Sequence, residues 1–276
     1  MSRKLIAIDL DGTTLNNQSI ISPLTKQVLQ QASAAGHIVS IVTGRPYRIS
    51  QQFYDELGLH SAMINFNGSL GHLPHHQWTK EYQYTIDREI ALDLLAHQQD
   101  LGIETIAAEN KAHVWANHQS DGTIDFFPKI LRQQQVLNAT NLTDNPTALT
   151  LYFSESHRKQ LIEDLLSRYG KQIDLNVWGG PWPVLEVAHK GIEKATGLEF
   201  LAQTYQIDRE NIIAFGDEGN DQSMIAYAGW GVAMANGIDD LKAIAQDVTS
   251  VDNDHDGLAH YLQEYLSLPT LLAEAQ

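Results

Sequence analysis

The chain of 276 residues has no cysteine, which excludes disulfides and thiolate metal sites. It is also short of positive charge: 18 Lys and Arg stand against 34 Asp and Glu, a formal net charge of −16. That balance disfavours nucleic-acid backbones and anionic membrane surfaces as partners, so an anionic substrate would need a local positive site. No apolar run approaches the roughly 18 residues of a membrane span. Ser2-Arg3-Lys4 leads at once into an acidic strand end, so neither a membrane span nor a signal peptide is expected, and the expected compartment is the cytoplasm. No internal repeat or low-complexity tract interrupts the chain. Its length suffices for a large core, as one large or two medium domains.

What is present starts at the N-terminus. Ile6-Ala7-Ile8-Asp9-Leu10-Asp11-Gly12-Thr13-Thr14-Leu15 places two carboxylates, one residue apart, at the end of an apolar stretch that reads as a buried parallel strand. Alternate residues of an extended chain share a face, so Asp9 and Asp11 begin on one side, and Gly12 lets the backbone turn beyond them. Such a pair repels itself unless a cation or a shared proton relieves the charge. An Asp-Gly turn leaving a strand accounts for Asp11-Gly12 but leaves Asp9 unexplained inside the apolar run.

At this point the chain resembles the haloacid dehalogenase-like phosphohydrolases, whose first motif reads DxDGTx[LV]. Thr43-Gly44-Arg45, after the apolar run Ile38–Val42, resembles the second motif. Lys194 sits where the family carries its third-motif lysine, and Gly216-Asp217-Glu218-Gly219-Asn220-Asp221 resembles the fourth, GDxxND. Four segments in order, three of them each closing an apolar strand, are far more specific than any one alone. The long insertion between the second and third motifs and the run Gly231–Asn236 look most like the Cof-type branch. One departure is visible: the family usually reads Lys-Gly twice around the third motif, whereas here Lys190-Gly191 fits but Lys194 precedes Ala195. Lys190 is therefore a competitor for the lysine role.

The coarse pattern is α/β. Ser22-Pro23 predicts a helix to Ala35 ended by Gly36, Pro46 opens the next helix and Gly58 closes it, and Ala62–Phe66 reads as a strand ending at Asn67-Gly68. After residue 186 the alternation resumes: a helix with Lys194 and Leu198, a strand at 212–215, a helix from Asn220, a strand at 231–235 and a last helix after Gly257. Alternating strands and helices imply a doubly wound parallel-sheet, Rossmann-like core, with ligands beyond the carboxyl ends of its strands, where Asp9, Thr43 and Asp217 fall. From residue 82 to 186 the pattern changes. A helix containing Ile90, Leu94, Leu95 and Leu101, strands near 104–108 and 112–116, and a helix with Leu161, Leu165, Leu166 and Tyr169 predict a smaller α+β domain. The resemblance implies that this is an inserted cap. The expected division is thus a core of 1–81 and 187–276 and a cap of 82–186.

A phosphate monoester is a dianion, so carboxylate attack needs charge neutralised on both reactants, and magnesium suits oxygen ligands with few carboxylates. Asp9 and Asp217 supply carboxylates from two strand ends, and the resemblance adds the backbone carbonyl of Asp11 as a third ligand. It further implies that Asp9 is the nucleophile, forming an aspartyl-phosphate, and that Asp11 is the general acid and base. Lys194, Thr43, Asn220 and the amides of Leu10 and Gly44 would hold the phosphoryl oxygens. Asp221 reads as an orienting group rather than a direct ligand, and Arg45 as a stabiliser of substrate or cap or a surface ion-pair member. The expected activity is a magnesium-dependent phosphatase of small phosphorylated metabolites such as sugar phosphates. A phosphomutase-like phosphoryl transferase and a non-catalytic phospho-acceptor regulator are the alternatives.

Three other clusters stand outside this scheme. Asp252–Gly257 mimics half a calcium loop but has Gln263 at the twelfth position, so a solvated loop capping the last helix is expected. His72, His75 and His76 flank Pro74 without helical spacing and predict an exposed turn. Trp178-Gly179-Gly180-Pro181-Trp182-Pro183 reads either as a lining of the substrate pocket or as a tight inter-strand loop.

Overall fold

The computed structural model describes residues 2–122, 124, 126–178 and 182–269. Along the first stretch run β1 (Leu5–Ile8), α1 (Pro23–Ala34), β2 (Ile38–Ile41), α2 (Tyr47–Leu57), β3 (Met63–Asn65) and β4 (Leu70–His72). The middle of the chain forms β5 (Tyr82–Gln83), α3 (Arg88–Ala96), β6 (Ile103–Glu109), β7 (Val114–Ala116), β8 (Ala148–Phe153), α4 (Arg158–Tyr169), β9 (Ile173–Val177) and β10 (Val184–His189). The last stretch carries α5 (Lys194–Tyr205), β11 (Ile212–Gly216), α6 (Gln222–Tyr227), β12 (Trp230–Ala233), α7 (Asp239–Ile244), β13 (Asp247–Val248) and α8 (Gly257–Tyr265).

Two compact units result: Met1–Gly44 and Ser50–Glu81 with Glu193–Gln276, and Arg45–Ile49 with Tyr82–Ile192. The second boundary falls after Ile192 rather than after residue 186. The reason is that β10 continues to His189 as an antiparallel partner of β8 and β9.

The first unit is built on a sheet of order β13-β12-β11-β1-β2, with every pairing parallel. Val42 and Ile64 extend it by a parallel bridge. Alternate side chains of a strand point to opposite faces. Leu5 and Ala7 therefore join one cluster with Leu198 and Leu201 of α5 and Met224 and Ile225 of α6. Ile6, Ile8 and Phe215 belong to the other face, where Tyr261 of α8 meets the Phe215 ring edge-on at 5.6 Å. Burial of each such side chain contributes roughly 1.5–3 kcal/mol, and the layering that results fixes which strand ends lie side by side. Local signals agree with the sequence: the Ser22 hydroxyl accepts from the Thr25 amide at 3.0 Å to start α1, and Gly36, at φ +92, ends it.

The second unit is an antiparallel sheet of order β7-β6-β8-β10-β9. Ile90, Leu94, Leu161 and Leu165 of its two helices share one core with Ile106, Leu149, Leu151, Leu185 and Val187 of the strands. Both helices thus cover a single face, an α+β arrangement. The strands β8, β9 and β10 are additions to the sequence reading, as are β4, α7 and β13.

Two expectations are corrected. His72 lies wholly buried in β4, which folds back on β3 with Met63 opposite His72, and its Nε2 contacts Asn65 Oδ1 at 2.9 Å. Only His75 of the group sits in an exposed ion pair, 2.6 Å from Asp55. The 252–256 loop does cap a helical turn, the Asp252 carboxylate accepting the His255 amide at 3.0 Å, but it is not merely solvated. Asp256 accepts from Thr25 at 2.9 Å and from Ser22, and Asp254 accepts the Asn17 amide at 2.7 Å, tying the loop to the start of α1. Of the Trp178–Pro183 loop, Gly179, Gly180 and Pro181 lie outside the described residues.

Candidate active site

The sheet order puts β11, β1 and β2 side by side, so Asp217, Asp9 and Thr43 leave three adjacent strand ends in the same direction. Beyond Asp9 the backbone makes a tight loop, Leu10–Thr14, with Asp11 extended (φ −73, ψ 126) and Gly12 at φ +70. Gly12 is required twice over. Its φ is in the left-handed region, and a Cβ there would stand 2.1 Å from Asp217 Oδ2. The loop is pinned by two hydroxyls: Thr14 donates to the Asp9 carbonyl at 2.5 Å, and Thr13 to Asp217 Oδ1 at 2.9 Å.

Lys194, the first residue of α5, is wholly buried. Its ammonium donates to Asp9 Oδ1 and to Asp221 Oδ1, both at 2.6 Å. The other oxygen of Asp221 accepts the backbone amides of Asp217 at 3.0 Å and Glu218 at 3.1 Å. Both Asp221 oxygens are therefore taken by protein donors, and they hold the backbone that carries Asp217. Carboxylate oxygens of Asp9, Asp217 and Asp221 lie within 4.8 Å of one another.

Three buried carboxylates around one ammonium carry an excess of two negative charges. The electrostatics reflect it. Burial, opposed by Lys194 and reinforced by the charges of Asp221 and Asp11, pushes Asp9 up to about 7. Burial together with Asp9 and Asp221 pushes Asp217 to about 8. Burial works against the charge on Lys194, but Asp221 and Asp9 outweigh it and hold the ammonium above its usual value. An all-oxygen donor set short of two positive charges fits a divalent cation with hard-ligand preference.

The remaining expected residues are accounted for as follows. Thr43 is buried, its amide donating to Ile64 and its carbonyl accepting from Asn67. Gly44 is half-buried beside it, Leu10 is buried at the start of the loop, and Asp11 is exposed. Asn220 is exposed, and its amide group donates to Asn67 Oδ1 at 3.0 Å. Lys190 is excluded from the cluster: it is exposed, belongs to the second unit and pairs with Asp174. Arg45 is likewise counted with the second unit.

Asn67 is a residue whose place in the site sequence reasoning missed. Phe66, Asn67 and Gly68 have consecutive positive φ values of 50, 51 and 105. Left-handed backbone at a bulky residue costs on the order of 1–3 kcal/mol and persists only where surroundings enforce it. Here the buried Asn67 side chain packs over Gly44, where a Cβ would stand 3.0 Å from its Oδ1, and accepts from Asn220. It thus links the turn after β2 to the segment after β11. The available signal was the Asn-Gly pair, which reads only as a turn.

Residues 6–262 match the family described as haloacid dehalogenase-like hydrolase. The chain is 35% identical over 270 residues to a 5-amino-6-(5-phospho-D-ribitylamino)uracil phosphatase of Bacillus subtilis (strain 168), covering 96% of this chain and 98% of that one. It is 26% identical to an HMP-PP phosphatase of Serratia proteamaculans (strain 568), over 97% of each chain. The crystal structure of a haloacid dehalogenase-like hydrolase from Bacteroides thetaiotaomicron superposes with a TM-score of 0.83 at 24% identity, covering 96% of this chain and all of that one, a likeness of fold. Among the described residues no helix is long and apolar enough to cross a membrane.

Proposed function

The chain belongs to the haloacid dehalogenase-like hydrolases and is a phosphoric monoester hydrolase, and from that premise we propose that it is a magnesium-dependent phosphatase of small phosphorylated metabolites acting through an aspartyl-phosphate. The observation that carries this reading is the wholly buried Lys194 held 2.6 Å from both Asp9 and Asp221. A buried ammonium shared between two carboxylates beside a third serves no packing purpose, and it suits an incoming dianion once a bound cation offsets the excess negative charge.

In this mechanism Asp9, Asp217 and the Asp11 carbonyl would hold Mg2+, which when bound neutralises the carboxylates and the substrate's charge. Asp9 attacks phosphorus, a new P–O bond forming as the ester P–O bond breaks. The Asp11 carboxyl gives its proton to the departing oxygen. In the second half a water attacks the aspartyl-phosphate, its proton passes to the Asp11 carboxylate, and inorganic phosphate leaves as Asp9 is regenerated. Lys194, Thr43, Asn220 and the amides of Leu10 and Gly44 hold the phosphoryl oxygens, with Asn67 fixing Asn220 and Gly44. Asp221, both of whose oxygens are engaged, orients Asp217 and Lys194. Arg45 is a stabiliser of substrate or cap.

The test is turnover of a panel of phosphate monoesters in magnesium: 4-nitrophenyl phosphate, sugar phosphates, nucleotides and a phosphorylated ribitylamino-pyrimidine, the last suggested by the 35% identical relative. Wild type should release inorganic phosphate and Asp9→Asn should not. Transfer of phosphate to a second hydroxyl would reassign the chain as a phosphoryl transferase. A phosphorylated Asp9 that does not turn over would make it a phospho-acceptor regulator.

A further inference from the structure

Asp11 is exposed, in extended backbone, and next to a glycine at φ +70. Glycine has the widest choice of backbone conformations, so the path of the loop beside Asp11 is set by the contacts that hold it. Besides the Thr13 and Thr14 hydroxyls, which pin its far side, the loop is stapled from outside by two asparagines of the chain's last quarter. Asn236, just beyond β12, donates from Nδ2 to the Gly12 carbonyl at 2.8 Å. Its Oδ1 accepts the backbone amide of Asn253 at 3.1 Å. A carbonyl on one side and an N–H on the other set the amide's orientation unambiguously. The Asn253 side chain in turn donates to the Leu15 carbonyl at 2.9 Å, while the Leu15 amide closes back on the Leu10 carbonyl at 2.8 Å. Behind them Thr249 accepts the Ala235 amide at 2.8 Å and donates to the Val251 carbonyl at 2.7 Å, so the segment presenting Asn236 is itself braced. The Asp9 side is fixed independently, by β1 and by Lys194.

We propose that Asn236, seated by Asn253, is a positioning residue that fixes the Gly12 carbonyl and thereby aims Asp11 at the departing oxygen of the substrate. This rests on the reading of Asp11 as the acid and base. Its consequence is selective. When Asp9 attacks, the ester P–O bond breaks and the departing oxygen needs the Asp11 proton if it leaves as an alkoxide. A 4-nitrophenoxide is a weak enough base to leave without it. Misaiming Asp11 therefore slows phosphoryl transfer from alkyl esters and spares 4-nitrophenyl phosphate, whereas a general disturbance of the site slows both. The ratio kcat/KM reads this step, since it covers events only up to leaving-group departure.

The experiment measures kcat/KM for glycerol 2-phosphate and 4-nitrophenyl phosphate in saturating magnesium, for wild type, Asp11→Asn, Asn236→Ala, Asn236→Asp and Asn253→Ala, each with a thermal melt. Asn236→Asp keeps the shape and the acceptor but loses the donor. Both Asn236 variants should lose about 100-fold on the alkyl ester, the order expected for misplacing a catalytic group by about 1 Å, and less than about 5-fold on the aryl ester. Asn253→Ala, which retains its backbone amide, should show the same split at smaller size. Equal losses on both esters, or no loss on either, in variants that melt like wild type would overturn the proposal. If wild type turns over neither ester, or Asp11→Asn shows no split, the reading of the site has failed and the proposal falls with it. If Asp11→Asn splits and the Asn236 variants do not, only the proposal falls.

Discussion

Replacing Lys194 by alanine should be far more damaging than replacing Lys190, although the two lie one helical turn apart in sequence. Lys194 is wholly buried and 2.6 Å from two carboxylates, with a third carboxylate in the same cluster. Its loss removes the one ammonium among three buried acids. Deleting one electrostatic stabiliser costs roughly 3–4 kcal/mol of transition-state energy, so kcat/KM should fall by about 10²–10³. Breaking a buried pair also costs about 3–5 kcal/mol of stability, because the orphaned charges stay buried. Bound magnesium should return part of this. Lys190 has 47% of its side chain exposed and pairs with an Asp174 side chain that is 34% exposed. A pair of that kind contributes at most about 1 kcal/mol. Steady-state rates at saturating magnesium and urea melts with and without magnesium measure both effects. A large rate loss in Lys190→Ala beside a mild one in Lys194→Ala would refute the assignment of the phosphate site.

Three further outcomes follow from the site. Chelation should abolish activity and magnesium should restore it, while calcium should not, because its longer, looser coordination misplaces the Asp9 oxygen; full activity in excess chelator would sink the metal reading. Burial raises Asp9 to about 7 and Asp217 to about 8, so the metal-free fold holds protons that the unfolded chain has already lost. Its stability should therefore fall as pH rises from the ordinary carboxylate range to about 8, and magnesium should bind more tightly, with release of protons, as pH rises through 7 to 8; calorimetry in two buffers of different ionisation enthalpy reads the protons. A magnesium affinity flat across that window would contradict it. Gly12→Ala should lose both activity and a few kcal/mol of stability, since a Cβ at φ +70 would overlap Asp217; an unchanged melting temperature would show that the loop yields.

The carboxylate-bearing strand ends were legible because their chemistry breaks local pattern. Asp9 closes an apolar run, and Asp217 leaves another, so each stands out without tertiary information. Lys194 was legible through its resemblance to the family motif, and what separates it from Lys190 in the structure is burial, which sequence does not show. Asn67 and Asn236 were opaque for a physical reason. An asparagine beside glycine already satisfies a turn, and the partners that give these two their work, Asn220 and the Gly12 carbonyl, lie 153 and 224 positions away. In the cap, β6, β8 and β10 carry the buried polar residues Glu109, Thr150 and Glu186, which blur alternation. Glu109 is reconciled with burial by a two-pronged pairing to Arg48 at 2.9 and 3.1 Å, a contact no local window contains. His72 was misread because β4 is three residues long and is defined by strand pairing, including its pairing with β3, rather than by a local pattern.

β1, the strand that leads into Asp9, sits between β2 and β11, and those neighbours enter the chain at very different times. Leu5 pairs with Ile38 on one side and with Ile212 on the other. At a synthesis rate of about 5–20 residues per second, the second edge of β1 waits on the order of 10–40 s for its partner. Through that interval an apolar, hydrogen-bond-hungry edge lies open, and neither Lys194 nor Asp217 is yet available to Asp9. The inserted unit from Tyr82 to Ile192, whose sheet is all antiparallel and local, has everything it needs much sooner. β1 is thus made long before the strand that closes its second edge, so its pairing is completed late in the life of the growing chain.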